Sequence, residues 1–140
     1  MAVTRSSSRQ ARQSAGPNVV DSSGWLEYVQ GGRNATFFEP AILAVDRLII
    51  PTISLYEVFK KVLRDVGEDP ALNLVGQMRQ ATVVDLEADL ALEAARLGVE
   101  FRLPLADSII LATARAHQAV LWTQDEHFDG IPGAKYISKR

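Results

Sequence analysis

Hydrophobic residues in this chain fall into short blocks separated by longer stretches of helical period. Val19-Val20, Leu48-Ile49-Ile50, Thr82-Val83-Val84-Asp85-Leu86 and Ala119-Val120-Leu121-Trp122-Thr123 are runs of strand length bounded by polar or proline positions, and Ala134 to Ile137 has the length of a short edge strand. Between them, Ser22 or Ser23 is placed to cap a helix through about Gln30, which Gly31-Gly32 stops. A second helix is expected from about Thr36 to Val45, with Phe37, Phe38, Ile42 and Val45 on its apolar side. Ser54-Leu55-Tyr56-Glu57 has the spacing of a capping box, and Leu55, Val58, Phe59 and Val62 continue the stripe. Asp69-Pro70 opens a helix to about Gln80. Glu87 to Leu97 is amphipathic and closed by Gly98, and Pro104 opens a last helix with Leu105, Ile109, Ala112 and Ala116 on one face.

Strands that alternate with helices pair in parallel through right-handed crossovers. The expected fold class is therefore α/β: a three-layer α/β/α sandwich around a central, mainly parallel sheet of four to five short strands. Residues 1–17 contain Arg5, Arg9 and Arg12 without an acid or a hydrophobic period, and read as a flexible basic tail. Residues 18–140 read as a single domain, long enough to bury a core and without an internal repeat.

Composition removes several classes. No apolar run approaches the roughly 18 residues that span a bilayer, and the N-terminus lacks the apolar core of a secretory signal, so no membrane association and a cytoplasmic location are expected. The absence of cysteine excludes disulfides, thiolate metal sites and a cysteine nucleophile. No glycine-rich phosphate loop and no Gly-x-Ser-x-Gly elbow occur. His117 and His127 lack the spacing of a zinc site, and His127 reads as a surface residue. Trp25 and Trp122 could stack on bases, but their positions near strand and helix starts favour packing.

Four acids carry the candidate chemistry: Asp21, Glu57, Asp107 and Asp125. Asp21 and Asp125 end strands, while Glu57 and Asp107 stand at helix openings. Ligands of parallel sheets bind beyond the carboxyl ends of strands, where strand order reverses, so Asp21 and Asp125 face each other if the first and fourth strands are neighbours. Each acid alone has a structural explanation. Glu57 completes a capping box, Asp107 complements a helix dipole, Asp21 caps a helix and Asp125 sits in an acidic loop. Together they are harder to dismiss. Asp107 is embedded in Leu105-Ala106-Asp107-Ser108-Ile109-Ile110-Leu111, and an acid beside a buried helix face needs a partner. Two carboxylates 6 Å apart repel by roughly 3 kcal/mol at an effective dielectric of 20. A hard divalent cation offsets that repulsion, and all-oxygen ligands suit Mg²⁺ or Mn²⁺. Taking these acids out of 17 leaves 13 against 15 basic residues, so the net charge of −2 does not exclude a polyanionic substrate.

These residues resemble the PIN-domain ribonucleases, and within them the VapC-type toxins of type II toxin–antitoxin pairs. The resemblance covers about Asn18 to Ile137. It rests on Val19-Val20-Asp21-Ser22-Ser23, Ile53-Ser54-Leu55-Tyr56-Glu57-Val58, Leu103-Pro104-Leu105-Ala106-Asp107 with the following Ser108-Ile109-Ile110-Leu111-Ala112-Thr113-Ala114, and Leu121-Trp122-Thr123-Gln124-Asp125. It implies metal-dependent endonucleolytic cleavage of RNA. Asp21 and Asp107 would hold Mg²⁺ or Mn²⁺, Glu57 and Asp125 would join directly or through water, and Ser22 and Thr123 would orient the ligands. It also implies an antitoxin partner and a homodimer. The alternatives are a housekeeping PIN-fold nuclease without an antitoxin, a Mg²⁺-binding receiver-like domain, and a non-catalytic binding module.

Overall fold

The computed structural model describes residues 16–139; the expected basic tail therefore lies, up to residue 15, outside the described residues. Strands β1 (Asn18–Val20), β2 (Leu48–Pro51), β3 (Thr82–Val84), β4 (Val120–Thr123) and β5 (Ala134–Tyr136) form one sheet in the order β3-β2-β1-β4-β5. Every neighbouring pair is parallel. The carbonyl of Pro17 accepts from the Val120 amide at 3.0 Å, so pairing with β4 starts one residue before β1.

Among the described residues six helices cover the sheet: α1 (Ser22–Gln30), α2 (Ala35–Leu43), α3 (Thr52–Asp65), α4 (Glu68–Met78), α5 (Ala88–Phe101) and α6 (Leu105–Ala116). Strand side chains alternate in direction and both faces are buried. Val19, Ile49 and Leu121 point to one face, where they pack with Ala94, Leu97 and Ile109 to Leu111 of α5 and α6. Val20, Leu48 and Ile50 point to the other, beneath Trp25, Phe38, Val58 and Met78 from α1 to α4. The result is the expected α/β/α sandwich with a wholly parallel sheet. The chain moves outward from β1 to β2 to β3 along one face, then returns through α5 and α6 on the other face to pair β4 with β1. Strand order reverses between β1 and β4, which opens a crevice at their carboxyl ends.

That order removes the receiver-like alternative. In the flavodoxin-like order the third strand is central, whereas here β3 is an edge strand and Asp85 beyond it is exposed.

Several local expectations are corrected. The capping box over Ser54 and Glu57 does not form, because Pro51 (φ −63°) starts α3 two residues earlier at Thr52. Ser54 is then buried inside the first turn, and the Glu57 carboxylate is free for another partner. At α4 the cap is Gly67, with φ 144°, rather than Asp69. Helix α2 ends at Leu43, and Val45–Arg47 is a 3₁₀ turn. Strand β3 ends at Val84. On α6 the continuous run from Ser108 to Ala114 is buried while Leu105 is exposed, so the expected single face is too narrow at one end and misplaced at the other. The indole of Trp25 is in the core, and Trp122 donates to Asn18 Oδ1 at 2.9 Å.

Gly98 does not close α5. The helix runs on to Phe101 and is capped by Arg102 at φ 55°. Gly98 is instead where α6 comes close, since a Cβ there would lie 2.7 Å from Ser108 Oγ. That hydroxyl already donates to the carbonyl of Pro104 at 2.9 Å and cannot move aside freely. Gly76, within α4, has nothing within 4 Å of an added Cβ. In urea unfolding, Gly76→Ala should raise stability by up to about 1 kcal/mol through helix propensity, whereas Gly98→Ala should lower it by about 1 kcal/mol through overpacking.

Candidate functional site

The crevice at the β1–β4 switch point holds a cavity of about 380 Å³, and all four sequence-predicted acids line it. Asp21 follows β1 directly and is 2% exposed. Its Oδ1 accepts from the Gly24 amide and from Ser23 Oγ, both at 2.9 Å, so it also caps α1. Its Oδ2 accepts from Thr123 Oγ1 at 2.6 Å. The same threonine oxygen accepts from the Asp125 amide at 2.9 Å, so one buried hydroxyl ties the ends of β1 and β4 together.

Glu57 reaches the cavity from the second turn of α3, where its Oε1 accepts from Ser22 Oγ at 2.6 Å. Asp107 enters from the first turn of α6, with its side chain 14% exposed. Asp125 Oδ1 accepts from the His127 amide at 2.9 Å and thereby caps the 3₁₀ turn Glu126–Phe128. That turn swings the His127 imidazole back over the acids. Its Nδ1 lies 3.0 Å from Asp125 Oδ1 and 3.1 Å from Asp107 Oδ2. The sequence reading left His127 on the surface. It is half exposed, yet it joins the acidic group, and the only signal for this was an acid two residues before it at a capping position.

Electrostatics follow from the crowding. Burial pushes the Asp21 carboxyl up from 3.8 to about 6, although bonds from Thr123, Gly24 and Ser23 pull the other way. Burial, followed by the charges of Asp125 and Asp21, pushes Asp107 up to about 7, with the His127 hydrogen bond opposing. The Asp125 charge in turn raises His127 above its ordinary value. Asp107, Asp125 and His127 offer three ligand atoms within 4.8 Å of one another. Carboxylate oxygens with one imidazole form a hard-to-borderline donor set, which fits Mg²⁺ and fits Mn²⁺ better still. A larger cavity of about 760 Å³ lies between β3, α5 and α6, but its acids Asp85, Glu87, Asp89 and Glu93 are all exposed.

The cavity that holds the four acids is walled on its α3 side by Tyr56, Lys60, Lys61 and Arg64, none of which the sequence reading selected as candidate site residues. Their spacing along α3 was visible, but nothing in the sequence says that this stripe borders the acids.

A carboxyl held above its unfolded value binds its proton more tightly in the folded state, so it costs stability as pH rises. For Asp21 and Asp107 the window runs from about 4 to about 7, and Asp21 alone contributes on the order of 3 kcal/mol. His127, raised, likewise loses its stabilising charge as pH rises. In EDTA the melting temperature should therefore fall between pH 5.5 and pH 8. Asp107→Asn should flatten this dependence and raise the pH 8 value, and a steep fall retained in the variant would refute the account. Asp21→Asn is the less clean variant, because Asp21 also caps α1.

Comparison with known proteins agrees with this fold. The PIN domain family model matches residues 19–134. Among curated protein sequences none matches the chain. A toxin–antitoxin complex from Klebsiella pneumoniae superposes with a TM-score of 0.71 at 25% identity, covering 84% of this chain and 95% of that one. DNA-bound VapBC from Salmonella typhimurium gives 0.67 at 18% identity, over 88% and 98%. The sarcin–ricin loop-cleaving toxin VapC20 of Mycobacterium tuberculosis gives 0.66 at 17% identity, over 81% and 94%. With the family model spanning nearly the whole described domain and the four acids gathered at the β1–β4 crevice, the chain belongs to the PIN-domain family.

Proposed function

We propose that this protein is a divalent-metal-dependent endoribonuclease of the cytoplasm and the toxin of a toxin–antitoxin pair. The observation that carries the reading is the convergence of Asp21, Glu57, Asp107 and Asp125 from four separate elements onto one cavity. Structural likeness to a toxin–antitoxin complex and to an RNA-cleaving toxin supports the substrate class and the partner.

Asp21 and Asp107 are the residues to hold Mg²⁺ or Mn²⁺, with Asp125 and Glu57 completing the set directly or through water. A cation bound there supplies Lewis-acid polarisation of the scissile phosphate and makes a water more acidic. The protein's own contribution is geometry. Thr123 fixes Asp21 and the Asp125 backbone in one position, and Ser22 turns Glu57 toward the cavity. The His127 Nδ1 stands within hydrogen-bond distance of both Asp107 and Asp125 and so holds the two carboxylates beside each other.

A partner surface has to come from apolar side chains that the fold leaves in water, which Trp25 and Phe38 are not. Val29, Leu43 and Val66 remain exposed on the α1–α4 side, and Leu92 and Val99 on α5. We assign the first group to the antitoxin and the α5 stripe to a homodimer contact.

Purified protein should cleave RNA in Mg²⁺ or Mn²⁺ and stop in EDTA. Asp21→Asn and Asp107→Asn should each lower the rate at least 100-fold, because a neutral amide is a weaker ligand for a hard cation. Undiminished cleavage by both variants would sink the site. Expressed alone the chain should arrest bacterial growth, and co-expression with its neighbouring reading frame should relieve the arrest. Cleavage in vitro without arrest would leave a housekeeping PIN nuclease.

A further inference from the structure

The acidic cavity has a second wall of opposite character. Tyr56, Lys60, Lys61 and Arg64 all stand on α3 and all line the cavity that Glu57 enters from the same helix. Tyr56 and Lys60 are one turn apart, as are Glu57 and Lys61, so the basic stripe runs directly out from the acids. Within it the cations are not equivalent. Lys61 and Arg64 both bond to Asp65, at 2.8 and 2.9 Å, and are partly neutralised. Lys60 pairs with no carboxylate among the described residues. Its ammonium lies 3.3 Å from Tyr56 Oη and 5.5 Å from the centre of that ring. The tyrosine is 59% exposed, an aromatic side chain left in water beside a free cation at the mouth of the site.

A polyanion approaching four carboxylates is repelled unless cations flank its path. An exposed aromatic ring next to such a cation matches the way single strands are held, by stacking a base while a lysine or arginine takes the backbone. A paired duplex would not present a base face to that ring, whereas an unpaired loop does.

We propose that Tyr56 and Lys60 form the subsite that grips single-stranded RNA beside the acidic cavity. The tyrosine ring stacks on an unpaired base and the lysine holds the neighbouring phosphate. Lys61 stands beside Lys60, and Arg64 carries the strand one turn further along α3. This rests on the ribonuclease reading and adds to it the form of the substrate and the side from which it enters.

The test uses a labelled single-stranded RNA oligonucleotide, followed by fluorescence anisotropy in Mg²⁺ across a salt series, with full-length protein carrying Asp107→Asn so that binding is seen without cleavage. Adding Tyr56→Ala should weaken Kd about tenfold, and Tyr56→Phe should restore it, since stacking needs the ring and not the hydroxyl. Lys60→Ala should reduce the slope of log affinity against log salt by about 0.7, the value for one phosphate contact on a single strand. Melting temperatures should stay unchanged throughout, which separates binding from a structural role. If the parent binds RNA and both alanine variants bind it equally well, the subsite is wrong while the nuclease reading stands. If the parent neither binds nor, with Asp107 intact, cleaves RNA, the nuclease reading fails first. Equal competition by duplex RNA overturns the stacking role. Poly-glutamate binding that falls in these variants while RNA binding holds would give the stripe to an acidic protein segment instead.

Discussion

A carboxylate buried at the carboxyl end of the central strand is the constraint around which this molecule is organised. Asp21 is almost wholly removed from water and survives there because three donors meet it from the two elements it joins. Gly24 and Ser23 belong to the first turn of α1, so the acid sets where that helix starts. Thr123 belongs to β4, so the acid also fixes how β4 ends beside β1. Even with these bonds its proton is held to about 6, because burial outweighs what the donors return. Adding Asp107 and Asp125 to the same space worsens the balance, and the His127 imidazole offsets only part of it. An amide in place of one of these acids would relieve that cost, so gathering them lowers the stability of the metal-free protein.

Much of this was legible in the sequence because it depends on period and on position relative to strand ends. Val19 and Val20 pack on opposite faces as a two-residue alternation requires, and the four acids meet because Asp21 and Asp125 follow strands while Glu57 and Asp107 lie in the first two turns of helices at the same edge. Other features were not legible, each for a physical reason. Ser54 and Glu57 have the spacing of a capping box, but Pro51 starts the helix first and puts both inside it. Gly98 looks like a helix stop, yet its lack of a Cβ serves a contact with Ser108 on another helix, which no local pattern encodes. His127 reaches the acids only because Asp125 caps a single 3₁₀ turn, a conformation with no periodic signature.

The charge of the whole chain says little about what the site attracts, since its two walls differ in sign. Without a cation, the carboxylates of Asp21, Glu57, Asp107 and Asp125 face Lys60, Lys61 and Arg64 across one cavity, and a phosphate entering it meets both. Under the proposed function, a divalent ion at the acids would remove most of the repulsion and leave the basic wall unchanged. Cation and polyanion would then each improve the binding of the other, by the same factor in both directions. The coupling would be felt through α3, because that helix supplies both Glu57 and the lysines.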